Sequence, residues 1–313
     1  MAESALRDVY VDILLTEISI GYSNPDYIAP LIAPVVPVRY PTGFIPQYMQ
    51  SDWFRNNANR RATGTLSRRG SFNLGTDTYA SKRDSFGFEL ADEVRDATME
   101  PYNMDRDGTL FATDKVLMAQ EMDFATNLFT AGVWVDAAGY VQWNDYGAST
   151  PLLLVTQALD NIEGRIGREG NTMILGKQVF TVLRWHPDLL DTIKYTQMAI
   201  VTEQIMQSLF GVDRILIGRG IYTASPEGTA EASVVYQRIW GKHVLFLYNP
   251  PSPSLITPAA IYNFTWQRVP SANSYMRRFR EESREVDVLE SNGYHDYHVT
   301  SQRSAEFYAN IIA

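Results

Sequence analysis

The sequence predicts an α+β chain in which a mixed domain and one long helix support an arm that cannot fold by itself. Three features lead there. Residues Trp53 to Arg83 carry seven basic side chains, one acid (Asp77) and only two aliphatics, Leu66 and Leu74, so they can build no core. Thr109 to Ala131 carries two apolar stripes at helical spacing, Phe111, Met118, Met122, Ala125 and Phe129 on one and Leu110, Leu117, Phe124 and Leu128 on the other. Residues Pro151 to Phe264 alternate amphipathic helical patterns with short apolar runs of strand length.

The basic stretch is followed at once by its opposite. Asp84 to Asp123 holds eleven acids against three bases. A nucleic-acid groove would need aromatics interleaved with the cations, and Trp53, Phe54 and Phe72 do not repeat that way. A solvated loop without a role is a second reading. The third is a strap crossing a neighbouring copy, and the charge complementarity favours it. The contact set this predicts is Arg55, Arg60, Arg61, Arg68, Arg69, Lys82 and Arg83 against Asp92, Glu93, Glu281, Glu282 and Glu285. Those acids alternate with Arg95, Arg277, Arg278, Arg280 and Arg284, which points to ion-pair networks and away from acid–base chemistry.

With 313 residues the chain can bury a large core, and its net charge of -9 argues against a dedicated nucleic-acid binder. The absence of cysteine excludes disulfides and thiolate metal sites. Charges at Glu3, Asp8 and Asp12 interrupt the N-terminal apolar residues, so no signal peptide is expected, and no window reaches the roughly 18 apolar residues needed to span a bilayer.

Along the chain, Ala5 to Ile20 has helical spacing. The segment IAPLIAPVVPVRYPTG that follows has prolines at 30, 34, 37 and 41, which exclude a central strand. It would run along a surface, burying Ile28, Leu31, Ile32, Val35 and Val36 against its own domain or a partner. Strands are expected at Phe44 to Tyr48 and Ser71 to Tyr79. The long helix takes Asp107 as N-cap and Gly132 as C-cap. Helices are expected at Leu152 to Ile166, Lys177 to Leu183 and Glu203 to Phe210, and strands at Thr172 to Leu175, Arg214 to Ile217, Val234 to Ile239, His243 to Leu247 and Ala260 to Trp266. Asn292-Gly293 between alternating runs reads as a hairpin turn.

Catalytic signatures are missing. Gly170 to Gln178 has five residues between its glycines and no Ser or Thr after Lys177, so it is no phosphate loop. His295 and His298, three apart in a strand, face opposite sides and cannot share an ion. His186 and His243 are isolated, and Gly147-Ala-Ser149-Thr-Pro151 lacks the second glycine of a nucleophile elbow. No catalytic residue, cofactor or metal is expected.

The segments IAPLIAPVVPV with GFIPQY, RATGT at 61–65, TDTY at 76–79, LADEVRDA at 90–97, MDRDGTLFATDKVLMAQEMDFATNLFTAGVW and NTMILGKQVFTVLRWHPDLLDTIKY, in that order, resemble the major capsid proteins of tailed bacteriophages. The resemblance covers nearly the whole chain. It implies an N-terminal arm at 1–39, an extended loop at 40–90 and a peripheral domain at 91–150 and 267–300 with a spine helix at 109–131. The axial domain would span 151–266, with 301–313 as a candidate completion. It also implies self-assembly as hexamers and pentamers into a virion shell around double-stranded DNA, built in the host bacterial cytoplasm. The expected partners are further copies, a portal protein, a decoration protein and DNA through non-specific contacts, with no membrane. Because the arm begins within the first residues, a separately encoded scaffolding protein is expected. The nearest alternative is an encapsulin-like nanocompartment shell; a soluble hydrolase is a remote one.

Overall fold

The computed structural model describes residues 15, 16, 18, 19, 26–48, 50–97, 103–194, 202–253, 259–267 and 274–313. In chain order these form α1 (Ala29–Ile32), β1 (Val35–Val38), β2 (Thr42–Tyr48), α2 (Gln50–Trp53), β3 (Leu74–Ala80), β4 (Lys82–Ala91), α3 (Asp92–Ala97) and α4 (Met104–Asn127). Next come β5 (Val135–Asp136), α5 (Pro151–Ile166), β6 (Thr172–Gly176), α6 (Lys177–Arg184), α7 (Pro187–Ile193), α8 (Glu203–Phe210), β7 (Arg214–Gly218), β8 (Ile221–Thr223) and β9 (Tyr236–Arg238). The chain closes with β10 (Val244–Leu247), β11 (Ile261–Trp266), β12 (Ser274–Glu281), β13 (Val286–His295), β14 (Tyr297–Val299) and β15 (Ala305–Tyr308). Within the described helices none is long and apolar enough to cross a membrane.

The central sheet runs β5-β15-β10-β6-β7. Both its faces are covered, which is why β6 and β10 are continuous apolar runs without alternation. Met173 and Leu175 of β6 point into a core with Val155, Ile162, Phe180, Leu189 and Met206 of α5 to α8. Ile174, between them, points to the other face, where Phe124 of α4, Phe129, Trp134, Trp240 and the N-terminal Ile28 and Ile32 close a second core. Gly167 and Gly211, in left-handed conformation at φ 67° and 68°, end α5 and α8.

A second sheet, β12-β13-β4, lies against α4. The spine helix starts earlier than expected: Asn103 caps it by accepting the Arg106 N–H, and Asp105 and Asp107 sit in the first turn where the helix dipole favours acids. It ends at Asn127, short of Gly132, because Phe124 and Phe129 turn into the second core.

Asn292-Gly293 is not a turn. Both residues lie inside β13, where Asn292 is buried and accepts the Arg83 Nε–H at 2.7 Å. A Cβ on Gly293 would lie 3.1 Å from Val116 Cγ1, so glycine stands there because the spine helix presses on the strand. The chain reverses instead at 282–285, with Glu285 at φ 50°. Strand β4 is an addition too: Phe86, Phe88 and Leu90 alternate along it, and both phenylalanines make edge contacts with Phe111 of α4. Helix α7, opened by His186 and Pro187, was missed because it is barely two turns long.

The proline-rich segment behaves as an edge. Strand β1 pairs in parallel with β11 and, among the described residues, has no second neighbour, so Pro37 interrupts no ladder. Ile28 and Ile32 are buried on their own chain, whereas Leu31 points outward.

Candidate assembly surfaces

Strands β2 and β3 pair antiparallel over their full length and project residues 54–73 as a loop without regular structure. Arg55, Arg60, Arg61, Arg68 and Arg69 lie in it, all exposed. Arg61 Nη1 donates to the Thr65 carbonyl at 2.6 Å, but among the described residues none of the five has a carboxylate partner. Phe44 of β2 (78 % exposed) and Leu66 of the loop (85 %) show apolar surface.

Lys82 and Arg83 do not belong with those five. They open β4, and Arg83 is committed to Glu290 and Asn292 of its own chain. The acids chosen from the sequence are also largely engaged at home. Arg280 binds Asp92 at 2.6 Å and reaches Glu282 at 3.4 Å, while Arg284 binds Glu89 at 2.6 Å and Glu281 at 3.3 Å. At the centre Asp287 takes Arg95 at 2.8 Å and Arg278 at 2.6 Å. Burial works against ionisation of Asp287, but these guanidinium hydrogen bonds hold its carboxyl below the usual range. The acids thus form the ion-pair network foreseen from their alternation with arginine, within one subunit. Glu93 and Glu285 have no ion pair among the described residues.

Sequence patterns gave no hint of Glu121. This carboxylate on α4 is fully buried, accepts the Ile28 and Ala29 N–H groups and the Trp240 indole N–H, and so pins the N-terminal segment to the spine helix. Burial raises its pKa despite those donors.

The tertiary fold also joins two residues that looked isolated. Ser149 Oγ lies 2.8 Å from His186 Nε2, both buried. His186 Nδ1 accepts the Asp188 backbone N–H, so the ring proton sits on Nε2 and is donated to Ser149. The hydroxyl in turn donates to the Asp145 carbonyl. The imidazole cannot act as base toward this serine in that tautomer, and the pair serves to cap α7.

His295 ends β13 and His298 lies in β14, so the single strand expected for them is two strands in different sheets, and each ring meets its own neighbours. His298 Nε2 meets Asp77 at 2.8 Å, while His295 stands between Asp84 and Asp123 at 3.1 and 3.6 Å. No group of three or more metal-ligating side chains occurs among the described residues.

No protein-family model matches the chain. A major capsid protein of Burkholderia phage BcepMu is 26% identical over 246 residues, 77% of this chain and 76% of that protein. Among solved structures, a phage-related protein from Bordetella bronchiseptica RB50 superposes with TM-score 0.73 at 20% identity, covering 96% of this chain and 97% of the other. The holo-SrpI encapsulin of Synechococcus elongatus PCC 7942 does so with TM-score 0.52 at 10% identity over 90% of this chain and 86% of its own. The fold is therefore that of the shell subunits which phage capsids and encapsulins share. Within that class, the sequence likeness is to the major capsid protein of a Burkholderia phage.

Proposed function

We propose that this protein is the structural subunit of an icosahedral phage head, assembling as hexamers and pentamers into a shell that encloses double-stranded DNA. The observation that carries the mechanism is the contrast between the β12–β13–β4 sheet, whose arginines pair with acids of the same subunit, and a projecting loop whose five arginines have no carboxylate partner among the described residues. Residues 1–39 are assigned as arm, 40–90 as extended loop, 91–150 with 267–300 as peripheral domain and 151–266 as axial domain. The loop straps a neighbouring copy. Such interfaces can exceed about 2,000 Å², the range of obligate contacts, so stability is collective.

The role is structural: the Ser149–His186 pair has the wrong tautomer for nucleophilic chemistry. A separately encoded scaffolding protein, a portal protein and a decoration protein are the further partners, with assembly in the host bacterial cytoplasm and residence in the virion.

Negative-stain microscopy and light scattering of the purified chain test this: closed particles in the megadalton range are expected. Changing Arg60, Arg61, Arg68 and Arg69 to Glu should leave soluble subunits that do not close, and normal particles from that variant would sink the strap mechanism. The encapsulin-like reading is kept by the fold likeness to the cyanobacterial encapsulin. Copurifying DNA favours the phage head, and copurifying protein cargo the nanocompartment.

A further inference from the structure

A cluster of like charges stands at one end of the central sheet. Strands β6 and β7 run parallel with Gly176 opposite Gly218, so the next residues, Lys177 and Arg219, leave the sheet side by side. Lys177 opens α6, and Arg184 follows seven positions later, two turns along the same face. Arg238 joins them from the β8–β9 ribbon, where it lies opposite Ile221, two residues beyond Arg219. The charges of Arg219, Arg184 and Arg238 all bear on Lys177.

Their own chain does not neutralise them. Glu203, at the start of α8, pairs with Arg219. Lys177, Arg184 and Arg238 have no carboxylate partner among the described residues, and the Lys177 ammonium lies over the Phe180 ring at 4.7 Å. Burial lowers the Lys177 pKa, and the three guanidinium groups lower it further against the opposing pull of Glu203. Holding like charges together costs free energy, and a partner that brings several negative charges at once removes that cost. In the β12–β13–β4 sheet, by contrast, the arginines have acids of their own.

We propose that this surface binds the phosphate backbone of the double-stranded DNA that the shell encloses; the inference rests on the shell reading above and names where the subunit touches its contents. The layout favours a polyanion over a single acid. Lys177 and Arg184 are about 10 Å apart along α6, the axial rise of about three phosphates on one DNA strand. Arg219 and Arg238 widen that row from a second direction, and guanidinium groups take phosphate oxygens in pairs. A carboxylate from a neighbouring subunit would bring one charge to four cations. The contact reads no sequence, since backbone contacts position a duplex without reporting its bases. With a net charge of -9 the rest of the chain repels DNA, which confines the attraction to a local patch and keeps it weak and sensitive to salt.

The test titrates full-length, unassembled subunits against a fluorescent mixed-sequence duplex of about 20 base pairs at graded salt. Lys177→Gln/Arg184→Gln/Arg238→Gln is expected to bind about tenfold more weakly and to lower the slope of log affinity on log salt by about 2–3, at about 0.9 per phosphate contact. Lys177→Arg/Arg184→Lys/Arg238→Lys keeps the charge and should bind as the native chain does. The loop variant Arg60→Gln/Arg61→Gln/Arg68→Gln/Arg69→Gln is the reference, and loss of binding confined to it overturns the inference, as does a native chain without salt-dependent binding. If melting shows that the triple glutamine variant does not fold, Arg238→Gln on the exposed ribbon should lower the slope by about 1, and an unchanged slope overturns the inference. Negative-stain microscopy runs in parallel. Closed particles from the triple glutamine variant with weakened DNA binding support the inference, whereas failure to close at unchanged DNA affinity makes the patch a subunit contact and overturns it. A native chain that binds DNA through this patch but forms no particles overturns the shell reading and leaves the DNA surface standing.

Discussion

Glu121 Oε2 accepts the Ala29 backbone N–H at 2.7 Å across 92 positions of chain, tying the N-terminal segment to the middle of the spine helix. Replacing Glu121 with Ala leaves the Ile28 and Ala29 N–H groups and the Trp240 indole N–H buried without an acceptor. At about 1–3 kcal/mol for each unsatisfied donor, partly relieved by water, the loss should be about 3 kcal/mol by denaturant titration of unassembled subunits.

The same group sets a pH dependence. Because burial raises the Glu121 pKa, the native state binds this proton more readily than the unfolded state, and its contribution to stability declines as pH rises above the ordinary value of 4.5. Glu121→Gln should flatten that decline. An unchanged slope between the variant and the native chain would show that another group sets it.

Asp287 has the opposite sign. Its folded-state pKa lies below 3.8, so the stability from Arg278 and Arg95 is present above 3.8 and lost as pH falls below it. Asp287→Asn should cost about 3 kcal/mol at neutral pH, the lower end for breaking a buried pair, since the arginines are partly exposed. It should also shallow the acid limb of the unfolding curve, which circular dichroism at graded pH can follow.

Gly108→Ala sets two effects against each other. Alanine gains about 1 kcal/mol of helix propensity inside α4, but its Cβ would lie 2.4 Å from Phe88 Cδ1. Overpacking at about 1–3 kcal/mol wins, so the variant should melt lower, and Gly108→Ala/Phe88→Leu should recover part of the loss.

Ser149→Ala should leave no activity to lose. A fluorophosphonate probe is expected not to label the native chain, and the variant should cost about 1 kcal/mol for the hydrogen bond to His186. Stoichiometric labelling at Ser149 would overturn the structural assignment of that pair.

Much of the body was legible in the chain because local pattern and tertiary role agree there. Helix α8, Glu203–Phe210, has the predicted limits, since Thr202 caps it and Gly211 ends it. Strands β6 and β7 lie where short apolar runs put them, because a two-sided core accepts nothing else. Asn292-Gly293 shows the limit: its turn chemistry is genuine, but the gap left for Val116 on the spine helix decides that it stays in a strand.

The sequence by itself determined that Trp53 to Arg83 could build no core, that its charge sought acids, and that the acids near Asp92 and Glu281 alternate with arginines. Only the tertiary structure decided which of these charges are already satisfied. The β12–β13–β4 register brings Arg280 onto Asp92 and Arg284 onto Glu89, takes Arg83 out of the loop, and gathers Asp84, Asp123 and His295 from three elements into one cleft. Pairing of charges distant in sequence depends on strand register and helix placement, which no local pattern of residues specifies.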